Sequence, residues 1–452
     1  MHKENTSVSV YELERIFRNA KKIFFIGIGG ISMSSLAEFC VFSGKEVFGY
    51  DRERNESCRR LEKICHIKYC STPDSVTSMD LVIYTGAIDE NNFELKNALR
   101  LKIPTVSRSN FLGYVMFGYR DRIGVSGAHG KSTVCAMLGH IFEYACHDPS
   151  IFCGAVMKEF CSASKLGKGK EFIFEACEYQ NAFHSFYPTD AVVTNVEFDH
   201  PDFFKDGNET LLSFQKYISM AQRAYINSDS ALARCLDHKS AITFGIEEKA
   251  DYMAKNIKIG KTHTVFDIFK GRHFLGSCKL SFFGNYMVQN ALCAFCVAYE
   301  KGIKSEIIIS ALESFKGIKR RAELIKRYPG KDVYLDYAHH PTEIRASLDG
   351  FKGMGYKKLL CAFQPHTYSR TVALYSDFLS SFSFADELFT VPVYEAREKN
   401  IYGYSDEKFA SDINAELVYD VSELAKKIME SDCDCAIIMG AGDIEKTKKF
   451  IK

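Results

Sequence analysis

At 452 residues, with 46% hydrophobic and 25% charged side chains, the chain has a globular composition and is too long for one core, so two to four domains are expected. Its 58 Lys and Arg against 57 Asp and Glu leave a formal net charge of +1, which excludes a general electrostatic footprint for nucleic acid or an anionic membrane. No apolar run reaches the ~18–20 residues that cross a bilayer, and the polar, helix-patterned start MHKENTSVSVYELERIF lacks signal-peptide character, which predicts a cytoplasmic protein.

The first unit opens with the strand KKIFFIGIGG, then a helix SMSSLAEFCVFSG and a strand KEVFGYD. This is a βαβ unit with Gly27, Gly29 and Gly30 in its first turn. Asp51 closes the second strand, where a ribose-binding carboxylate belongs in a dinucleotide fold. Ser32 stands in place of the third glycine of G-x-G-x-x-G, so the turn predicts nucleotide or nucleotide-sugar binding and leaves the cofactor class open. Plain closure of a strand–helix turn also calls for such glycines. Further strands are predicted at LVIYTGAI (81–88) and around Pro104-Thr105-Val106.

The second unit begins near Tyr119. Ile123 to Ser126 reads as a short buried strand, Gly127-Ala128-His129-Gly130 as a turn, and Lys131-Ser132-Thr133 as the start of a helix. Glycines let backbone N–H groups approach an anion, Lys131 adds positive charge, and a hydroxyl follows where phosphate-bound Mg²⁺ would sit. The strict G-x-x-x-x-G-K-[ST] loop is excluded, because its first glycine would fall on Val125. The strand EFIFEAC (171–177) carries Glu175 near its end, and AVVTNV (191–196) runs into Glu197-Phe198-Asp199-His200. Carboxylates at the carboxyl ends of parallel strands suit Mg²⁺, with a histidine as a less usual ligand. A helix through NETLLSFQKYISMAQ, a strand AYINSD, a β-rich stretch 241–283 and a helix NYMVQNALCAFCVAYEKG lead into FKGIKRRAEL.

The third unit starts near residue 322, with strands DVYLDYA, KKLLCAFQP, ELFTVPV and CAIIMGAGD separated by helical runs, again a parallel α/β pattern. Polar clusters cap three strands: Asp336-Tyr337-Ala338-His339-His340-Pro341, Gln364 to Arg370, and Gly440-Ala441-Gly442-Asp443. Such strand ends are where open α/β sheets bind ligands. The sixteen cysteines are scattered, and Cys40, Cys135, Cys153, Cys293, Cys296 and Cys361 lie in apolar runs, so they are expected to act as small buried hydrophobes rather than as metal or disulfide partners.

The runs GIGGISMSSLA, GAHGKST, EACE with TNVEFDH, FKGIKRRAE, LDYAHHPTEI, FQPHTYSRT, VYEAREKNIYG and MGAGDI occur in the order found in the Mur ligases of peptidoglycan synthesis. The chain resembles that family from about residue 20 to 445, and DYxHHPTE with QPHxYxRT resembles the branch that adds the first amino acid. The resemblance implies an α/β protein of three domains. They are a Rossmann-like UDP-sugar domain (1–118), a central P-loop-type ATPase domain (119–321) and a C-terminal Rossmann-like amino-acid-binding domain (322–452). It also implies a reaction: ATP phosphorylates the carboxylate of UDP-N-acetylmuramate, and the amine of L-alanine attacks the acyl phosphate, releasing ADP and phosphate. Such chemistry needs no protein nucleophile; it needs phosphate charge neutralised, Mg²⁺ held, reactants aligned and water excluded.

By motif, the resemblance gives ATP to Gly127, Ala128, His129, Gly130, Lys131, Ser132 and Thr133, with Lys131 at the β/γ-phosphates. Ser132, Glu175 and His200 become Mg²⁺ ligands, Asn290 lies at the adenine, and Arg321 and Asp336 stand on the nucleotide side of the third domain, Asp336 near the ribose. His339, His366 and Arg370 face the alanine and the developing tetrahedral centre, while Gly27, Gly29, Gly30, Asp51, Thr85 and Ala87 hold the UDP moiety. No nucleic-acid or membrane partner is implied, and a monomer and a homodimer are both compatible with the sequence.

Departures from the family pattern are equally specific. The run EADESDxS reads EACEYQNA, which places Cys177, Tyr179 and Gln180 where Asp, Ser and Asp are usual; the adenine-side His-Asn is Tyr286-Met287; and Thr367 replaces an arginine. Three other functions compete: a recycling ligase that attaches a tripeptide to the same sugar, an NAD-binding oxidoreductase built on the first βαβ unit, and a ligase-like binding protein without turnover. Ser32 and an otherwise unused lysine loop argue against the oxidoreductase, and retained Lys131, Glu175, His200 and Asp336 argue against loss of turnover.

Overall fold

The computed structural model describes residues 9–451 apart from 87, 89, 90, 261 and 397. After a helix Val10–Asn19, the first sheet comprises β1 (Lys22–Ile26), β2 (Glu46–Tyr50), β3 (His66–Lys68), β4 (Leu81–Tyr84) and β5 (Thr105–Ser107). The order is β3-β2-β1-β4-β5 and every pairing is parallel. Parallel strands covered on both faces require near-continuous apolar runs, and KIFFI in β1 is buried at four of its five residues. The chain passes from β1 to β2 on one side and later to β4 on the other. The turn after β1 and the turn after β4 therefore flank a topological switch point, the crevice in which such sheets bind ligands.

The second sheet has ten strands: β6 (Asp121–Ser126), β7 (Ser150–Met157), β8 (Ser162–Lys165), β9 (Glu171–Glu175), β10 (Asp190–Val193), β11 (Arg223–Asn227), β12 (Ala241–Gly245), β13 (Tyr252–Ile259), β14 (Thr264–Lys270) and β15 (His273–Leu280). Their order is β15-β14-β13-β12-β11-β10-β6-β9-β7-β8. Strand β6 lies between β9 and β10, so the loop after it opens between the ends of the strands that carry Glu175 and the Asn195–His200 segment. The β-rich stretch beyond residue 241 starts parallel and then folds back as an antiparallel meander through β13, β14 and β15. Strands β7 and β8 were not apparent in the sequence: SIFCGAVM mixes small and apolar residues with little alternation, and SASK is short and polar.

The third sheet is β16 (Glu323–Tyr328), β17 (Lys331–Asp336), β18 (Leu359–Phe363), β19 (Glu387–Thr390), β20 (Glu416–Leu417) and β21 (Cys435–Met439), in the order β16-β17-β21-β18-β19-β20. Only the edge strand β16 is antiparallel. Its ELIKRY alternates exposure, as a half-solvated edge requires, and lacks the apolar run that marks the inner strands. One apolar cluster is continuous from Phe17, Leu36 and Phe111 in the first unit to Phe172, Phe174 and Tyr217 in the second, which fixes those two sheets to each other. All sixteen cysteines are free thiols, and the six named above are buried.

Candidate active site

At the first switch point, a side chain on Gly27 would strike Thr85, so the two turns touch. Asp51 Oδ2 accepts the Gly29 N–H at 2.8 Å, and Asn55 Nδ2 donates to the Gly29 carbonyl at 3.1 Å. Asp51 thus shapes the glycine turn through one oxygen, a role the ribose-carboxylate reading had not included. Gly30 caps the helix Ile31–Phe42, leaving its N-terminal amides at the crevice. Ala87 lies outside the described residues.

The lysine loop shows why its glycines are needed. Gly127 has φ +136°, and a Cβ there would lie 2.1 Å from Thr194 Oγ1; Gly130 has φ +81° at the start of the helix Lys131–Tyr144. The Lys131 ammonium sits within the loop, bonded to the carbonyls of Gly127 and Ala128 and 3.1 and 3.2 Å from the two carboxylate oxygens of Glu178. Burial works against its charge, but Glu178, Cys177 and Glu175 outweigh burial and raise its pKa, so Lys131 stays an ammonium ion. The Ser132 hydroxyl donates to Glu175 Oε2 at 2.6 Å, and the Gly154 N–H donates to the same oxygen at 2.8 Å. A hydroxyl beside a carboxylate at the loop mouth is a hard oxygen donor set of the kind Mg²⁺ takes.

From Lys131 a circuit of contacts runs through both units and returns to the loop. Glu178 lies 3.7 Å from His200 Nε2, and His200 follows Asp199 directly. Asp199 joins Arg370 of the third unit in a two-pronged ion pair, Nε to Oδ1 at 2.8 Å and Nη2 to Oδ2 at 3.3 Å, with both side chains almost fully buried. Arg370 Nη1 donates to His366 Nδ1 at 3.2 Å, and the His366 and His339 rings are 5.9 Å apart. Glu343 accepts the His339 N–H at 3.1 Å and lies 3.4 Å from His129 Nδ1, two residues before Lys131. His129 also lies 3.2 Å from Glu197, which accepts the Thr342 hydroxyl at 2.8 Å.

The charges in this circuit are well separated. Burial opposes ionisation of Asp199, but His200 and Arg370 hold its carboxyl well below the usual range. For Glu343 burial is likewise overcome by Arg321, His339 and His129. Burial alone would keep His129 neutral; Glu343 and Glu197 reverse that and raise its pKa to about 10. His366 goes the other way, down to about 3, through burial and the neighbouring His339 and Arg370. His340 falls to about 4 through burial and His129. Ligand atoms of His129, Glu197 and His340 come within 4.8 Å of one another, close enough for a cation. However, His340 Nδ1 already accepts the Thr342 N–H, and His129 itself carries the positive charge.

A cavity of about 720 Å³ opens beside the loop, lined by His129, Gly130, Thr133, Asn290, Arg321 and Asp336 among others. Six of the residues expected at ATP thus line one cavity, while Gly127, Ala128, Lys131 and Ser132 are not part of its lining. Asn290 packs directly on Gly130, so it braces the lysine loop as well as lining the cavity. Tyr286 and Met287 line the same cavity. Asp336 accepts from Ala322 N–H, Ala338 N–H and the Ser347 hydroxyl, and burial raises its pKa; it organises the entry to the third unit in addition to facing the cavity. Tyr179 packs on the His200 ring at 4.6 Å and donates to Asp202, while Gln180 approaches Gly86 of the first unit. Of the three departures in that run, Tyr179 thus packs beside His200 and Gln180 reaches the turn after β4 of the first unit.

Glu178 and Glu343 carry no role in the sequence; Asp199, expected with His200 at a metal-binding strand end, is ion-paired with Arg370. Glu178 was legible as the second carboxylate of EACE, three residues after Glu175. Glu343 appears only as the last residue of the DYxHHPTE run, and the structural partners of both Asp199 and Glu343 are remote in sequence.

Comparison with known proteins follows the same three units. Models of the Mur ligase family match residues 22–120 (Mur ligase family, catalytic domain), 125–298 (Mur ligase middle domain) and 320–442 (Mur ligase, glutamate ligase domain). The UDP-N-acetylmuramate–L-alanine ligase of Clostridium novyi (strain NT) is 38% identical over 442 residues, covering 94% of this chain and 96% of that protein. The enzyme of the same name from Caldanaerobacter subterraneus subsp. tengcongensis is 36% identical over 454 residues, covering 96% and 97%. Among solved structures, the UDP-N-acetylmuramate-alanine ligase of Thermotoga maritima has a TM-score of 0.82 at 26% identity, covering 95% and 98%. A murein peptide ligase from Psychrobacter arcticus shares the fold, with a TM-score of 0.70 at 22% identity, covering 95% and 98%.

Proposed function

The chain belongs to the Mur ligase family, and we propose that it uses ATP to join L-alanine to the carboxylate of UDP-N-acetylmuramate through an acyl phosphate. The observation that carries this reading is the run of contacts Lys131–Glu178–His200–Asp199–Arg370–His366–His339–Glu343–His129, which links the lysine loop and metal-side residues of the second unit to the His339 and His366 strand ends of the third. On this reading the units 1–118, 119–321 and 322–452 take the sugar, ATP and the amino acid in turn.

The residues act by charge and position. Lys131 is held by Glu178 and by loop carbonyls; a triphosphate gives the same ammonium a stronger anion, and the loop amides add their own N–H groups. Ser132 and Glu175, with His200, would hold Mg²⁺, which supplies further neutralisation of phosphate charge when bound. The sugar carboxylate, positioned from the first unit, takes the γ-phosphoryl group, and the alanine amine then displaces phosphate. Cys177, whose thiol burial and Glu178 push up to about 11, stays protonated and offers no competing nucleophile. His366 is neutral, and its Nδ1 is occupied by Arg370, so its proton sits on Nε2. It therefore acts as a hydrogen-bond donor toward charge developing on the carbonyl oxygen, not as the base for the amine.

The nearest rival is attachment of a tripeptide. ATP-dependent phosphate release with UDP-N-acetylmuramate, measured against L-alanine and against the tripeptide, separates the two: alanine is expected to support turnover, and preference for tripeptide overturns the assignment.

A further inference from the structure

Glu343 stands at N3 of the helix Pro341–Gly353, three residues after the N-cap His340. A carboxylate there ordinarily reaches back to cap its own helix. This one accepts the His339 N–H at 3.1 Å, but it also accepts from Arg321 Nη1 at 2.9 Å and lies 3.4 Å from His129 Nδ1 and 3.2 Å from His339 Nδ1. Its side chain is buried, with 7% exposure, and each partner belongs to a different part of the site. His129 is in the phosphate loop, Arg321 on the link between second and third units, and His339 at the strand end facing His366. A helix cap needs one backbone contact; three cationic or ionisable side chains around one buried carboxylate exceed that need.

We infer that Glu343 is a positioning residue, seating the third unit on the phosphate loop so that the amine arrives where the acyl phosphate forms. The inference rests on the ligase reading above. Glu343 acts through His129, Arg321 and His339. Its neighbour Thr342 reinforces the same seam by donating to Glu197 of the second unit, so one helix start contacts the loop region twice. When the third unit is unseated, the acyl phosphate that still forms faces water instead of the amine, and its hydrolysis returns free carboxylate and phosphate. ATP consumption and amide formation then separate.

The test compares the full-length wild type with Glu343→Gln and Glu343→Asp, reading ADP and amide in the same reaction. Glu343→Gln keeps the side-chain shape and removes the charge. Amide formation is expected to fall about tenfold or more. KM for UDP-N-acetylmuramate should stay within about twofold, because the first unit is untouched. ADP release should exceed amide formation most in this variant, and Glu343→Asp should restore part of the rate and of the 1:1 stoichiometry. A purely structural cap predicts lower thermal stability with stoichiometry unchanged, and that result overturns the inference. Should Glu343→Gln not fold, the Asp variant decides: wild-type rate and stoichiometry with a shortened side chain would reject a positioning role. Wild type that fails to ligate alanine would instead strike the ligase reading.

Discussion

Replacing Asp199 with Ala probes how the second and third units are joined at the site. Asp199 and Arg370 are 7% and 6% exposed and meet through two hydrogen bonds, at 2.8 and 3.3 Å. Removing one member of a buried ion pair costs about 3–5 kcal/mol, because the other charge is left without a partner. The partners here lie in different units, so the seam has an escape: it can open and let water reach the guanidinium. The cost is then capped by the free energy of docking, and the closed arrangement is depleted either way. A loss of about 3 kcal/mol corresponds to roughly two powers of ten in population, and kcat for amide formation should fall by about that factor. UDP-sugar binding, measured by titration calorimetry, should be unchanged. Asp199→Ala combined with Arg370→Met should recover thermal stability, since an apolar pair tolerates burial, without recovering turnover. Asp199→Ala with kcat within about threefold of wild type would refute the reasoning, because a pair worth less than 1 kcal/mol cannot be holding the seam.

The other expectations concern the loop and its charges. Lys131→Met should lower phosphate release by about 10²–10³-fold while leaving UDP-sugar affinity intact; unchanged turnover would reject a phosphate role. Glu175→Gln should raise the Mg²⁺ concentration for half-maximal rate by about tenfold or more, and an unaltered Mg²⁺ titration counts against ligand status. Gly127→Ala, at φ +136° with its Cβ 2.1 Å from Thr194 Oγ1, should cost about 1–3 kcal/mol in urea unfolding and abolish ATP binding; a fully stable variant that binds ATP would show that the loop relaxes freely. The pH dependence follows from His129, raised to about 10 in the folded chain from an ordinary value near 6.5. A raised histidine pKa contributes stability in full below about pH 6.5 and loses it as pH climbs toward 10. Glu343, held low by Arg321, His339 and His129, contributes the opposite limb, lost on acidification below its ordinary range. Glu343→Gln should therefore flatten the decline in melting temperature above neutral pH, and an identical decline in both proteins would remove His129 from the account.

What could be read in the sequence was local chemistry. Parallel strands announce themselves as apolar runs, so KIFFI, EFIFE, DAVV and CAIIM could be placed, along with the polar strand ends that carry Lys131, Glu175, His200, His339 and His366. The strands that were not apparent, β7, β8 and the edge strands β3, β16 and β20, are very short, half-solvated or sheltered by tertiary neighbours and carry little periodic signal of their own. Partnership was the larger gap. Nothing near Asp199 indicates Arg370, 171 positions away, and nothing near Glu343 indicates His129. Partners also add contacts that the sequence does not show: Asp51 shapes its glycine turn, Asp336 gathers three protein donors, and Arg370, expected at the alanine, pairs with Asp199. A burial pattern is a property of one segment, whereas a charge-paired seam is a property of two.

The central claim is that ATP activates the sugar carboxylate as an acyl phosphate before alanine attacks. It is tested most directly with UDP-N-acetylmuramate labelled with ¹⁸O in its carboxylate, incubated with ATP, Mg²⁺ and L-alanine. Displacement of phosphate from an acyl phosphate carries one carboxylate oxygen away, so each phosphate released should contain one ¹⁸O and each amide should have lost one. Amide formed with unlabelled phosphate would contradict the account, as would labelled substrate recovered unchanged while ATP is consumed.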